Sequence, residues 1–118
     1  MAIGSPLQVE LERRSGIVAL RIAGDLRVWG RPEAEQRVVS VSRSATEEPV
    51  DQLLLNLSGV TVIDTLGIRA LVPLLVACTK RKIGLKVILP PGVAGEALRC
   101  VRIFEAWPQF ADEQAAGA

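Results

Sequence analysis

The 118-residue sequence contains no histidine. The usual general base of hydrolases and the commonest metal ligand are therefore missing, and a Ser-His-Asp triad is excluded. A Walker-type phosphate loop is also lacking, because Gly92-Val93-Ala94-Gly95 is not followed by Lys and then Ser or Thr. These absences argue against an enzyme, and we expect the protein to use neither a cofactor nor a metal ion.

Cysteine is scarce, with only Cys78 and Cys100 in the chain. Their spacing matches no common metal-binding motif, so each is expected to behave as a small buried hydrophobic residue. A redox-sensing disulfide between them is the alternative. It is disfavoured because disulfides are uncommon in cytosolic proteins.

The sequence has neither a strong charge excess nor a long apolar run. Its formal net charge is +1, whereas a nucleic-acid-binding domain carries a marked basic excess. No stretch approaches the ~20 apolar residues that span a bilayer, and residues 1–6 lack the features of a signal peptide. We therefore expect a cytoplasmic protein that contacts neither nucleic acid nor a membrane directly.

Hydrophobic residues make up 49% of the chain, which suits one compact domain. In the first half, period-two alternation predicts a β-hairpin, and Pro32 followed by Glu33 and Glu35 predicts the start of a helix. A polar connection is expected from Ser44 to Pro49. The predicted strands, loop and helix are Leu7–Leu11, Ile17–Ile22, Arg27–Arg31 and Pro32 to about Ser42.

In the second half, strands alternate with helices. Gln52–Leu57 is a nearly continuous apolar run, typical of a central strand buried on both faces. The segments predicted after it are a strand, a helix, a strand, a helix and a last apolar piece, at Val60–Ile63, Leu66 to about Lys82, Leu85–Leu89, Val93–Cys100 and Ile103–Phe110. The pattern predicts an α/β fold in which an opening hairpin and β-α units form a mixed sheet with helices packed on it. We expect one domain over 1–112 and a disordered Ala/Gly-rich tail over 113–118.

The most informative stretch is the junction at Asp64-Thr65, where a buried strand meets a helix. Thr65 is a good N-cap, because its hydroxyl can accept a hydrogen bond from an amide of the first turn. An Asp-Thr pair before a helix can also be a cap and nothing more.

This stretch resembles the STAS domain of bacterial anti-sigma factor antagonists. Asn56-Leu57 matches the end of that family's strand, Ser58-Gly59-Val60 its loop, and Asp64-Thr65-Leu66-Gly67 its motif at the helix start. Further matches in the same order are Gly24-Asp25-Leu26, Arg31-Pro32-Glu33, Gly84 with Leu85–Leu89, and Leu98–Phe110.

The resemblance implies a STAS-like fold and a switch. Thr65 stands at the phosphate acceptor position, and the partner is an anti-sigma factor that is also a serine/threonine kinase. The unmodified domain binds that partner and the phosphorylated domain does not. The expected partner-binding residues are Asp25, Arg27, Trp29, Asp64, Leu66, Gly67, Arg69, Val72, Pro73 and Val76. The oligomeric state stays open, a homodimer included.

Two positions depart from the family pattern. Leu66 replaces a second serine, and Arg27 replaces an acidic residue near the acceptor. We expect Arg27 either to pair with Asp64 or to hold the phosphate. The departures keep a second hypothesis open, namely an adaptor STAS domain that is never phosphorylated and works in a stress-sensing or lipid-transport complex.

The helix after Thr65 is apolar nearly all round. Its inward face is predicted to carry Ile68, Leu71, Leu75 and Cys78, and its outward face Leu66, Val72, Leu74, Val76 and Ala77. Such a helix is either deeply buried or covered by another protein. Pro73 falls inside it and predicts a kink near Arg69.

Overall fold

The protein is described here by a computed structural model that covers residues 6–47 and 49–117. Four strands form one sheet in the order β1-β2-β3-β4, with β1 antiparallel to β2 and the other two pairs parallel. The strands are β1 Gln8–Arg14, β2 Ile17–Leu26, β3 Gln52–Ile63 and β4 Gly84–Ile88. The predicted opening hairpin and mixed sheet are confirmed. Residues 1–5, Glu48 and Ala118 lie outside the described residues.

Helix α1 spans Pro32–Glu47 and is longer than predicted. The hydroxyl of Ser42 donates to the carbonyl of Val38 (2.7 Å) and that of Thr46 to the carbonyl of Ser42 (3.0 Å), so these polar residues stay buried within the helix. The expected polar connection from Ser44 is therefore helical as far as Glu47.

Carbonyl groups in the last turn of α1 are bonded by arginines from other elements. Arg13 of β1 donates to the carbonyl of Ser44, and Arg81 donates to the carbonyl of Thr46. Helix ends leave carbonyls without partners inside the helix, and these guanidinium groups supply them. The two arginines thereby attach α1 to the sheet edge, where Arg13 lies, and to the segment around Arg81.

The long helix predicted from Leu66 is two helices, α2 Thr65–Ala70 and α3 Val72–Lys80. They meet at Leu71, which ends one helix and begins the next. Pro73 lies in the first turn of α3, where its missing amide costs no hydrogen bond. The prediction of one helix kinked near Arg69 is therefore wrong: the helix is broken at Leu71, because proline fits the first turn of a new helix better than a helix interior. The last helix is α4 Gly92–Val101.

Strand β3 is continuous where the sequence suggested two apolar pieces. Its pairing with β2 shifts twice: Arg21 and Ala23 pair with Asn56 and Gly59, and further on the partners advance from Val60 to Val62. Each shift places one extra residue in β3, which is the signature of a β-bulge. The first bulge includes Ser58, and this polar interruption made the strand resemble two segments.

The main core lies between the sheet and the helices. Alternate side chains of β2 and β3 meet the buried faces of all four helices, with Val18, Leu20, Leu53, Leu55, Leu57, Val38, Leu71, Leu74 and Leu98 among them. A second, smaller cluster of Leu54, Ile88 and Ala116 lies on the other face of the sheet. Leu53, Leu54 and Leu55 are all buried, which confirms the prediction that β3 is covered on both faces.

The C-terminal segment first pairs alongside β4 through a parallel bridge between Val87 and Gln109 and then packs on this second face of the sheet. The amide of Val87 donates to the carbonyl of Pro108 (3.0 Å), and the amide of Phe110 donates to the carbonyl of Val87 (2.9 Å). Further along, Glu113 is hydrogen-bonded to the sheet and Ala116 is buried. A disordered tail is expected from residue 113, whereas residues 113–117 in the structure lie against the sheet because Ala116 covers apolar side chains there.

The two cysteines have different surroundings. Cys78 is buried in α3 as predicted, and burial raises the pKa of its thiol to about 11. Cys100 was also predicted to be buried, but this prediction is wrong: Cys100 is exposed on α4, because the buried face of that helix is made by Ala94, Gly95 and Leu98. Both thiols are free, and no helix among the described residues is long and apolar enough to cross a membrane.

Candidate functional site

Asp64 caps helix α2. One of its carboxylate oxygens accepts from the Gly67 amide (2.7 Å) and the Val28 amide (3.0 Å), and the other accepts from the amides of Trp29 (2.9 Å) and Val28 (3.0 Å). Sequence reasoning assigned the cap to Thr65, but Thr65 is already the first residue of the helix. A carboxylate has two acceptor oxygens, and this one therefore joins the helix start to the loop between β2 and α1.

These contacts keep Asp64 charged. Burial by itself would raise the pKa of its carboxyl, but hydrogen bonds from the amides of Trp29, Val28 and Gly67 outweigh burial and lower that pKa. The carboxylate is thus directed into its own chain, although Asp64 was predicted to bind a partner.

Thr65 follows this inward carboxylate and is exposed. Within the described part of the chain its hydroxyl has no hydrogen-bond partner. Because Asp64 makes the cap, the Thr65 hydroxyl has no role in capping, and the strand end and Asp64 hold its backbone in place.

A second carboxylate, Asp25, lies at the end of β2 and is only 3% exposed. Arg27 donates to it twice, from Nε to Oδ1 (2.9 Å) and from Nη2 to Oδ2 (2.6 Å), and Arg31 Nη1 lies 3.1 Å from Oδ2. The side-chain hydrogen bonds from Arg27 lower the pKa of Asp25 to about 2 against the opposing effect of burial. Of the two roles expected for Arg27, the ion pair with Asp64 is wrong: the pair is with Asp25.

Arg31 was missed as a contributor to the site. In the sequence it marks only the entry to α1, and its pairing with Asp25 depends on a turn in which its amide donates to the carbonyl of Val28 (2.8 Å). Together, Asp25, Asp64, Arg27 and Arg31 carry two negative and two positive charges that balance one another. Arg69, exposed on α2 four residues after Thr65, adds one positive charge.

Gly67 is also enclosed. A Cβ added to it would lie 2.0 Å from the carbonyl oxygen of Leu26, so no larger residue fits without moving β2 or α2. The contact brings the helix start against the end of β2. Three residues predicted to bind a partner, Asp25, Asp64 and Gly67, are thus occupied in holding the site together.

Of the remaining predicted residues, Arg27 and Arg69 are exposed and Trp29 is 79% exposed. Leu66 is half-buried and packs against the core, so little of it is left for a partner. We call the exposed residues Thr65, Arg69, Val72, Pro73 and Val76 the α2–α3 stripe. Spacings of three or four positions place Thr65 and Arg69 on one side of α2, and Val72, Pro73 and Val76 on one side of α3.

The stripe is partly apolar, with Val72 38% and Val76 45% exposed. On the inward side Ile68, Leu71, Leu75 and Cys78 are buried as predicted. Leu74, predicted to face outward, is wholly buried, because α3 lies beside α1 as well as on the sheet. The outward apolar surface is therefore narrower than the sequence suggested.

Comparison with known proteins identifies this arrangement. The profile of the STAS domain family matches residues 8–116. No similar sequence is found among curated proteins.

Solved structures share the fold at low sequence identity. An anti-sigma factor antagonist from Mycobacterium paratuberculosis is 17% identical, with a TM-score of 0.66 over 95% of this chain and 92% of that one. An anti-sigma factor antagonist domain protein from Planctomyces limnophilus is 17% identical, with a TM-score of 0.72 over 92% and 93%. The Bacillus cell fate determinant SpoIIAA in its phosphorylated form is 13% identical, with a TM-score of 0.68 over 93% and 97%. With the family profile covering nearly the whole sequence, the chain belongs to the STAS domain family.

Proposed function

We propose that this protein is a cytoplasmic anti-sigma factor antagonist that regulates transcription in a bacterium. In this proposal it binds an anti-sigma factor of the serine/threonine kinase type through the α2–α3 stripe and Trp29. Phosphorylation of Thr65 by that kinase ends the interaction. The observation that carries the proposal is the exposed Thr65 hydroxyl at the start of α2, beside a cap that is complete without it.

The surface around Thr65 supports a protein partner. Trp29 is largely exposed, and tryptophan is enriched among the residues that dominate binding energy. Its amide is bonded to Asp64, so the loop that carries it is fixed relative to Thr65. Val72 and Val76 extend an apolar strip away from the acceptor, and Arg69 gives it a charged margin.

The charge balance of the site supports the switch. Asp25 and Asp64 balance Arg27 and Arg31, and Arg69 adds one positive charge, whereas a phosphate on Thr65 adds about −1.5 to −2 charges with three acceptor oxygens. A partner that packs closely on the partly apolar stripe would then have to bury a hydrated dianion. Loss of a well-packed contact patch costs about 2–4 kcal/mol, which weakens binding by tens to hundreds of fold.

The test uses the full-length protein with the kinase-type anti-sigma factor encoded nearest to its gene. With ATP, we expect mass spectrometry to find one phosphate on Thr65 and none on a Thr65→Val variant. Thr61→Val is the matched control, because Thr61 is an exposed threonine on β3, four residues before Thr65, and its loss should leave labelling unchanged.

Binding is measured in parallel by titration calorimetry without ATP. Thr65→Val should bind as the wild type does, and Thr65→Glu should bind at least about tenfold more weakly. Labelling that persists in Thr65→Val, or unchanged binding of Thr65→Glu, would refute the switch.

A second candidate is the adaptor STAS domain that is never phosphorylated. The observation that favours it is the pairing of Arg27 with Asp25, which commits to its own chain the residue that was expected to pair with Asp64 or to hold the phosphate. The adaptor hypothesis predicts a stable complex with a protein partner that contains no kinase, and equal affinity for wild type, Thr65→Val and Thr65→Glu.

A further inference from the structure

Residues 111–117, which we call the strap, cross the sheet on the face opposite the helices. Their backbone hydrogen bonds are mostly internal: the amide of Ala115 donates to the side chain of Asp112 (2.7 Å), and that of Ala116 to the Asp112 carbonyl (3.2 Å). Attachment to the sheet depends on side chains. Ala116 packs on Leu54 and Ile88, while Lys86 Nζ donates to the Ala116 carbonyl (2.7 Å). A segment attached in this way belongs to the part of a fold that opens most easily.

Glu113 makes the strongest of these attachments. Its carboxylate accepts two parallel hydrogen bonds from Arg21, from Nε (2.7 Å) and Nη2 (2.8 Å). Such paired bonds between arginine and a carboxylate are stronger and more specific than single ones. Arg21 also donates to Glu10 (2.8 Å) and Glu12 (2.9 Å) on β1. If Glu113 moved away, the Arg21 guanidinium would still be hydrogen-bonded to Glu10 and Glu12. These remaining bonds lower the free energy needed to release the strap.

The same carboxylate reaches the strand that leads to Thr65. Asn56 Nδ2 donates to Glu113 (2.6 Å), and Asn56 Oδ1 accepts from the amide of Ser58 (2.9 Å). Asn56 and Ser58 belong to the first bulge of β3, where the pairing with β2 shifts by one residue. The bulge sets the path of the rest of the strand, which ends one residue before the Asp64 cap.

We propose that the strap detaches reversibly from the sheet, that Glu113 is its latch, and that Asn56 transmits the state of the latch to the β3 bulge and so to Asp64 and Thr65. In the closed state Glu113 orients the Asn56 amide, and the oriented amide holds Ser58. In the open state Leu54 and Ile88 lose their cover, and the bulge loses one of its side-chain supports. The device is separate from the proposed phosphorylation, since it operates whether or not Thr65 is modified.

The test is amide hydrogen exchange of the full-length protein, followed by NMR. In Glu113→Gln, which keeps the shape of the side chain but loses its charge, we expect the amides of Ser58 and Ala116 to exchange roughly tenfold faster. The resonance of the Thr65 amide should shift. The amide of Val38, in the core of α1, should stay within about twofold. Glu96→Gln is the control, because it removes an exposed carboxylate from α4 and should change none of these signals.

Transmission through Asn56 is tested by combining variants. Asn56→Ala alone should loosen Ser58 while Arg21 and Glu113 keep the strap in place. Adding Glu113→Gln to Asn56→Ala should then free the strap without a further change at Ser58 or Thr65. Equal effects of Glu113→Gln with and without Asn56 would overturn the coupling. Exchange unchanged in Glu113→Gln, or increased equally in the Val38 amide, would overturn the latch.

Discussion

The cap at Asp64 leads to a prediction with a large effect on stability. Its carboxylate accepts hydrogen bonds from three backbone amides, those of Val28, Trp29 and Gly67. Asp64→Ala leaves all three without that acceptor. At about 1 kcal/mol for each net hydrogen bond, the free energy of unfolding should fall by about 3 kcal/mol. Such a loss lowers the melting temperature of a domain of this size by ~12 °C.

Asp64→Asn replaces one of the two carboxylate oxygens with an amide nitrogen. The asparagine keeps one acceptor, but its amide nitrogen then faces a backbone N–H whichever way the group is turned. We expect about 2 kcal/mol of destabilisation. Urea unfolding followed by tryptophan fluorescence measures both variants, with Glu35→Ala as a control that removes an exposed carboxylate from the first turn of α1 and should cost at most about 0.5 kcal/mol. If Asp64→Asn is as stable as wild type, the carboxylate is not the clamp described here.

Three further predictions concern the same fold. Gly67→Ala should lower the free energy of unfolding, measured by urea unfolding, by about 2 kcal/mol or more, because the added Cβ would lie 2.0 Å from the Leu26 carbonyl oxygen. Unchanged stability would mean that β2 and α2 move apart freely. The pKa of Asp25 is lowered from 3.8 to about 2, so its stabilisation, about 2 kcal/mol, is complete above pH ~4 and is lost as the pH falls towards 2. Asp25→Asn should flatten that acid limb in unfolding measured from pH 2 to 6, and an unaltered limb would contradict the pairing with Arg27. Iodoacetamide should label Cys100 in the native protein and Cys78 only after unfolding, since Cys78 is buried and burial raises the pKa of its thiol to about 11. Labelling of a native Cys100→Ser variant would contradict this and show that α3 opens.

The sheet and its order of elements could be predicted because local patterns determine them. The alternation before Arg13 and the apolar run around Leu54 both follow from the two-residue period of a strand. The residues at which strands and helices end were harder to predict from the sequence. Strand β2 continues through Asp25, a charged residue that is buried only because Arg27 and Arg31 pair with it. Likewise, α1 continues past Ser42, whose hydroxyl bonds within the helix.

At the site, the sequence identified Asp64 and Thr65 but exchanged their structural roles. The choice of cap depends on amides at Val28 and Trp29, which are 35 or 36 positions away in the chain and become neighbours only when the sheet forms. The ion-pair partner of Arg27 was predicted wrongly for the same reason. The candidates were the carboxylates of Asp25 and Asp64, and the sequence does not show which of them lies closer to the guanidinium group. The strap was not predicted because the Ala/Gly-rich composition of 113–118 is typical of a disordered tail. The ion pair between Glu113 and Arg21, which attaches the strap to the sheet, is not apparent from the sequence.

Because Asp64 caps α2 and Thr65 does not, a modification of the Thr65 hydroxyl would leave the hydrogen bonds of the cap intact. If Thr65 capped α2, a phosphate on its hydroxyl would remove the cap, and the same event would alter both stability and binding. Asp64 instead makes every side-chain contact of the cap, and Gly67 lets α2 approach the carbonyl of Leu26. Thr65 contributes only its place on the surface. Under the proposed function, a change of charge there would act first on the protein bound to the stripe, and the domain beneath it would keep the contacts that hold the site together.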